Sequence, residues 1–238
     1  MTGGAADRRA EIAAGLSAVR ARIADACAVA GRDPGEITLI GVTKTFPASD
    51  VRLLAELGVT DVGENRDADA APKARASADL PLTWHFVGQL QTNKVRSVAG
   101  YASVVHSVDR PRLVAALDRE AGRAGRTLTC LVQVDLDPDP APDRGGAAPD
   151  DVPRLAEAIA TADALRLGGV MAVAPLGGDP LEAFTRLAGI ARDTRERYPG
   201  ATIVSAGMSG DLEQAIRCGA THIRVGTALL GYRSGRVG

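Results

Sequence analysis

Residues 7 to 30 set Ile12, Leu16, Val19, Ile23 and Cys27 at helical spacing among arginine, glutamate and aspartate. The pattern predicts an amphipathic leading helix that stops at Gly31. From Glu36 onward the period changes: short runs rich in β-branched residues alternate with helical stretches, and each run closes on glycine or a polar turn. Eight strands are predicted, over Ile37 to Thr43, Thr60 to Gly63, Thr83 to Val87, Ala102 to His106, Leu128 to Val134, Leu167 to Val173, Ala201 to Ser205 and His222 to Val225. The helices expected between them cover Ala48 to Leu57, Arg66 to Ser77, Thr92 to Val98, Arg110 to Ala124, Val152 to Ala162, Pro180 to Tyr198 and Gly210 to Cys218, with a short turn at Thr227 to Leu230.

Strands that alternate with helices and carry near-continuous apolar runs fit a parallel sheet buried on both faces. The expected architecture is α/β, a single (β/α)8 TIM-type barrel with an extra N-terminal helix, forming one domain over residues 1 to 238. One stretch breaks the pattern. Leu136 to Asp150 is too rich in Pro, Gly and Asp for regular structure, and following the fifth strand it falls on the catalytic face of a barrel. A solvated loop is the plainer expectation for it, a lid the other.

Composition changes this picture little. Apolar residues make up 45% and charged residues 24%, as in ordinary folded domains, and a formal charge of -1 argues against nucleic acid or an acidic membrane as main partner. Cys27, Cys130 and Cys218 lie far apart and in no metal-binding spacing, so reduced thiols in a cytoplasmic protein are expected, with no metal site. The first 22 residues lack the apolar core of a secretory signal, and no window has the apolar length of a membrane span.

The candidate chemistry gathers at strand ends. Lys44 follows Leu39-Ile40-Gly41-Val42-Thr43 directly, at the catalytic end of the first strand, where an apolar wall would desolvate its amine and favour attack on an aldehyde. An exposed surface lysine is the bland alternative. In the last strand, alternation sends Ile223 and Val225 to one face and Arg224 to the other, so Arg224 points into the barrel if the apolar pair meets the outer helices. A buried guanidinium needs a fixed acceptor, either a ligand or a structural carboxylate. Gly226 and Thr227 then open a short helix with free amides and a hydroxyl, a geometry suited to phosphate. Ser205 ends the preceding strand and adds a donor, whereas Ser209 reads as the N-cap of the helix carrying Asp211 and Glu213. The phosphate is accordingly expected near Ser205, Gly226 and Thr227. Asn65 ends the second strand, beside the first, where it can hydrogen-bond a ring or cap a helix. Barrel closure brings the eighth strand beside the first, so one phosphorylated aldehyde could satisfy both Lys44 and the phosphate site. His85 and His106, single in apolar strands, are expected as hydrogen-bonded core histidines.

Seven motifs then carry a resemblance over nearly the whole chain: LIGVTKTFP around Lys44, VGEN ending at Asn65, WHFVGQLQTNK from Trp84, HSVD from His106, GGVMAVAP from Gly168, SAGMSGDLEQAI from Ser205 and IRVGTALLG from Ile223. The chain resembles the pyridoxal phosphate homeostasis proteins of the YggS/PROSC type, which are similar to the barrel domain of alanine racemases. The resemblance implies pyridoxal 5'-phosphate held as an aldimine on Lys44, with Arg224 facing the pyridine nitrogen, Ser205, Gly226 and Thr227 around the phosphate, and Asn65 and Met208 along the ring. It also implies a carrier that buffers and delivers the cofactor to pyridoxal phosphate-dependent apo-enzymes without catalysis of its own. A monomer is expected. Two positions depart from the family pattern: Ala206 where SMGMS is frequent, and Arg144-Gly145-Gly146 where a Lys-Ser-Gly-like stretch is frequent, so no role carries over to that loop.

The alternative is a pyridoxal-dependent amino-acid racemase or a related enzyme. Pyridoxal enzymes that strongly stabilise a carbanion pair the ring nitrogen with a carboxylate, so an arginine there favours holding the cofactor or a racemase that avoids a long-lived carbanion, and a racemase also needs a second acid/base. Tyr101 and Tyr198 precede strands and so belong to the far end of the barrel, leaving only Tyr232 near the mouth.

Overall fold

Thr38 lies opposite His222 and Ile40 opposite Arg224, so the first strand of the chain is hydrogen-bonded to the eighth and the sheet closes. The computed structural model describes residues 3–137 and 145–231. Its strands run in chain order around the ring: β1 (Thr38–Val42), β2 (Asp61–Glu64), β3 (Thr83–Phe86), β4 (Val104–Val108), β5 (Leu128–Gln133), β6 (Leu165–Met171), β7 (Ile203–Ser205) and β8 (His222–Val225). All the pairings are parallel. The helices are α1 (Gly3–Ala30), α2 (Ala48–Glu56), α3 (Asp67–Ala76), α4 (Val95–Tyr101), α5 (Pro111–Arg123), α6 (Val152–Ala160), α7 (Pro180–Arg197), α8 (Leu212–Arg217) and α9 (Thr227–Leu230). This is the expected (β/α)8 barrel preceded by an extra helix.

Strand alternation divides the core in two. Ile223 and Val225 of β8 join the large cluster between strands and helices, together with Val105, Cys130 and Val170. Val104, Leu131 and Met171 form a separate small layer inside the ring. The apolar stripe predicted for the leading helix is the face α1 buries: Ile12, Leu16, Val19, Ile23 and Cys27 are all shielded from water. Its arginines then tie the closing seam together. Arg8 pairs with Asp50 of α2 at 2.7 Å and donates to the Leu230 carbonyl of α9 at 2.9 Å, and Arg22 pairs with Glu213 of α8 at 2.7 Å and donates to the Ser209 carbonyl at 3.0 Å.

Several boundaries differ from expectation for identifiable reasons. β6 begins at Leu165 because that residue pairs with Leu128, and it ends at Met171 because its partner β7 runs out at Ser205. The Thr92 to Val98 segment divides into a single 3-10 turn, Thr92–Lys94, and α4, which continues to Tyr101. α8 starts at Leu212 rather than Gly210, since the Asp211 carboxylate accepts the Met208 amide at 2.6 Å and holds the intervening residues as a turn. The irregular segment after β5 is anchored at both of its described ends. Leu136 presents its carbonyl to Arg186 at 2.7 Å, and Ala147 returns to exchange backbone hydrogen bonds with Gln133 and Asp135. Arg144 lies outside the described residues. No helix among the described residues is long and apolar enough to cross a membrane.

Candidate functional site

At the carboxyl ends of the strands a cavity of about 410 Å³ opens between β1 and β8. Six of the expected site residues meet on its wall: Lys44, Asn65, Met208, Arg224, Gly226 and Thr227. The wall carries two cations and, among the described residues, no carboxylate. A cavity of this composition suits an anion.

Lys44 leaves β1 just past Thr43, which is fully buried. Lys44 itself is exposed at the rim, so the protein wall does not desolvate it as the sequence suggested. The reason is local: β1 ends at Val42 and the chain turns outward through Thr45, which holds φ at 70°. That conformation costs a β-branched residue about 1–3 kcal/mol. Behind the turn, Glu64 and Lys73 form a buried ion pair, Nζ to Oε1 2.5 Å, with Lys73 also donating to the Thr43 carbonyl and the Thr43 hydroxyl donating to Glu64 at 2.6 Å. The sequence did not single out this pair.

Arg224 points inward as alternation requires. It is 5% exposed and donates through Nη1 to Ser205 Oγ at 2.7 Å and through Nη2 to the Ala172 carbonyl at 2.9 Å. These acceptors are neutral, so the ordinary structural ion pair is not what holds it. Burial pulls the guanidinium down to about 10, with Asp211 acting the other way, and it keeps its charge at neutral pH.

Ser205 stands elsewhere than expected. It is fully buried one layer below the mouth, bonded to Arg224 and to His106 Nδ1 at 3.0 Å, and it is not on the cavity wall. Ser209 occupies the rim in its place: it lines the cavity and its Oγ accepts the Ala228 amide of α9 at 3.3 Å. Nor is Ser209 the N-cap of α8, a position taken by Asp211. The available signal was the glycine between the two serines, since a turn at Gly207 (φ 91°) carries the chain from the interior to the rim. The Thr227 amide, at the first position of α9, has no acceptor within its helix and remains a donor for an anion.

Asn65 borders this cavity and an adjoining one of about 420 Å³ that also involves Arg66, Gln89, Gln91 and Lys94. Its place depends on Gly88, where an added Cβ would stand 2.1 Å from the Asn65 carbonyl oxygen. Gly88→Ala is expected to lower stability by about 1–3 kcal/mol, because backbone must move to admit the methyl group. A denaturant titration against the parent chain checks it.

The two strand histidines are buried and bonded to each other, His85 Nδ1 to His106 Nε2 at 2.8 Å, with His85 Nε2 3.0 Å from Asp61. Their neighbour His222 is held down to about 4, by burial first and then by His85, with Asp61 opposing. In the unfolded chain a histidine titrates at about 6.5. Between these values the unfolded chain binds more protons, so the contribution is complete above about 6.5 and is lost as pH falls toward 4, about 3 kcal/mol for this ring. Unfolding midpoints at neutral pH and at about pH 4.5 should show the drop.

None of the tyrosines among the described residues supplies a base at the mouth. Tyr101 lies against Trp84 outside the ring, its hydroxyl pushed well above its ordinary range by burial and by Asp67 and Glu64, and Tyr198 borders a groove between α6 and α7. Tyr232 lies outside the described residues. Among the described residues no three His, Cys, Asp or Glu side chains could hold a metal ion.

Comparison with known proteins supplies the family. The model of the alanine racemase N-terminal domain matches residues 15–234. A pyridoxal phosphate homeostasis protein of Mycobacterium tuberculosis is 44% identical over 246 aligned positions, covering 95% of each chain. One from Escherichia coli is 35% identical over 94% of this chain and 97% of its own. Among solved structures, PipY of Synechococcus elongatus with PLP bound superposes with a TM-score of 0.78 at 34% identity, over 92% of this chain and all of that one. The chain belongs to the alanine racemase N-terminal domain family, among its pyridoxal phosphate homeostasis proteins.

Proposed function

We propose that this protein binds pyridoxal 5'-phosphate at the β1–β8 mouth and serves cofactor homeostasis as a reversible carrier, without catalysis of its own. The observation that carries this reading is a cavity in which Lys44, Arg224 and the start of α9 converge with no carboxylate on the wall among the described residues. When bound, pyridoxal phosphate supplies an aldehyde that condenses reversibly with a lysine amine. Lys44 is the lysine of that cavity. The Thr227 amide and the Thr227 and Ser209 hydroxyls take the phosphate, with Gly226 letting the backbone approach. Asn65 and Met208 flank the ring. Arg224 would face the ring nitrogen and, charged at neutral pH, would keep it from taking a proton, so the site would hold the cofactor without building an electron sink. The expected recipients are pyridoxal phosphate-dependent apo-enzymes, and the expected form is a monomer.

Purified protein mixed with pyridoxal phosphate should develop a visible band, and borohydride should fix the cofactor on the peptide containing Lys44. A colourless protein that takes up none of the added cofactor would refute binding. Turnover of L- or D-amino acids well above that of free cofactor would instead establish the enzyme reading. Timed transfer to an apo-enzyme in the presence of a scavenger for free cofactor tests delivery.

A further inference from the structure

Beneath the cofactor cavity a polar line crosses the interior of the barrel. It begins at Asp61, at the entry end of β2, 3.0 Å from His85 Nε2. His85 Nδ1 lies 2.8 Å from His106 Nε2, His106 Nδ1 lies 3.0 Å from Ser205 Oγ, and Ser205 Oγ accepts from Arg224 at 2.7 Å. His85, His106, Ser205 and Arg224 are buried. Asp61 has access to water, its side chain 26% exposed, and it borders a cavity at the opposite end of the barrel from Lys44.

The direction of each hydrogen bond follows by elimination. A guanidinium can only donate, so Ser205 accepts from Arg224 and still has its own hydrogen to place. His106 Nδ1 is the acceptor beside it. His106 is neutral: burial first, then its neighbours His85, Arg224 and His222, hold it well below its ordinary value. Its hydrogen therefore sits on Nε2 and is donated to His85 Nδ1. That leaves the His85 hydrogen on Nε2, donated to the Asp61 carboxylate. All four bonds point from Arg224 toward Asp61, and every polar atom along the line is satisfied.

We propose that Asp61, His85, His106 and Ser205 are positioning residues for Arg224, orienting the Ser205 hydroxyl so that it fixes the guanidinium beneath the ring nitrogen of the cofactor. This rests on the cofactor reading given above. The order of the bonds matters: were the His106 hydrogen on Nδ1 instead, Ser205 would receive two donors and strand its own hydrogen in a dry interior, loosening its hold on Arg224. The ionisable groups facing the line are Asp61 from β2, His85 from β3, His106 from β4, His222 and Arg224 from β8, and Asp211 from the turn before α8.

The test uses the full chain in four forms: parent, Asp61→Asn, His106→Phe and Ser205→Ala, with Ser205→Thr as the conservative control. In nitrogen-15 spectra of the cofactor-free parent, His85 and His106 should both carry hydrogen on Nε2. Exchange of the Arg224 side-chain hydrogens should be about tenfold faster in Ser205→Ala, as for one lost hydrogen bond, and restored in Ser205→Thr. With pyridoxal phosphate added, Ser205→Ala and His106→Phe should bind about tenfold more weakly and displace the pH midpoint of the visible band by about one unit. Asp61→Asn should displace that midpoint in the same sense. Either ring carrying its hydrogen on Nδ1, or variants that melt earlier yet keep the parent's arginine exchange and band profile, would overturn the proposal. If the parent forms no band, the cofactor reading fails, and the ring tautomers and arginine exchange still decide whether the line positions Arg224.

Discussion

Lys44→Ala is expected to abolish the visible band and the borohydride-stable adduct, and to weaken pyridoxal phosphate binding about hundredfold, or ~2.7 kcal/mol. Lys44 is the lysine on the wall of the β1–β8 cavity, while Lys94 belongs to the adjoining one. The alanine variant therefore loses both the condensing amine and one of the two cations on the cavity wall. Lys44→Arg separates these effects. It keeps the charge but cannot condense, so it should retain more affinity than the alanine variant and still give no band. Absorbance titration together with equilibrium dialysis measures both quantities. A band of undiminished intensity in Lys44→Ala would mean that another lysine captures the aldehyde.

Lys73→Met should be the most destabilising single replacement near the site, costing about 3–5 kcal/mol, because it leaves the Glu64 carboxylate buried and unpaired. For a chain of this size that lowers the melting midpoint by roughly 6–20 °C. The magnitude follows from the surroundings: Glu64 is 1% exposed, its Oε2 has no hydrogen-bond partner among the described residues, and its Oε1 depends on Lys73 and Thr43. The double variant Glu64→Gln, Lys73→Met removes the stranded charge and should recover more than half of the loss. Thermal melts of the single and double variants make the comparison, and additive losses would show that the pair is not coupled. Thr43 adjoins Lys44, so the Lys73→Met protein should also take up cofactor more slowly.

The barrel was legible because the change from a helical period to short β-branched runs repeats around the ring, and side-chain alternation in β8 alone predicted the inward path of Arg224. Closure then placed Lys44 beside the Gly226-Thr227 turn, as β1 and β8 do in the structure. Ser205 and Ser209 could not be told apart in the same way. Their layers are set by where β7 ends and by the Gly207 turn, which no periodicity records. The exposure of Lys44 depends on the backbone at Thr45, and nothing in the composition of LIGVTKTFP signals a left-handed turn there. Glu64 closes a strand and Lys73 lies in the helix that follows, and nothing in their spacing marks them as a pair. Their pairing needs the helix to fold back over its own strand. The histidine line was hidden for a related reason, since the stagger of neighbouring strands decides that His85 meets His106, and spacing along the chain does not.

The β1–β8 pairing has a consequence for how the protein is made. On the ribosome, a nascent chain that has released β1 through β7 already displays Lys44, but Arg224 and the Thr227 amide are still missing and the edge of β1 has no partner. Cofactor capture cannot assist folding at that stage. It can reward only the finished ring, so pyridoxal phosphate should act as a clasp on completed molecules, slowing their reopening at the seam while leaving the rate at which the ring first closes unchanged.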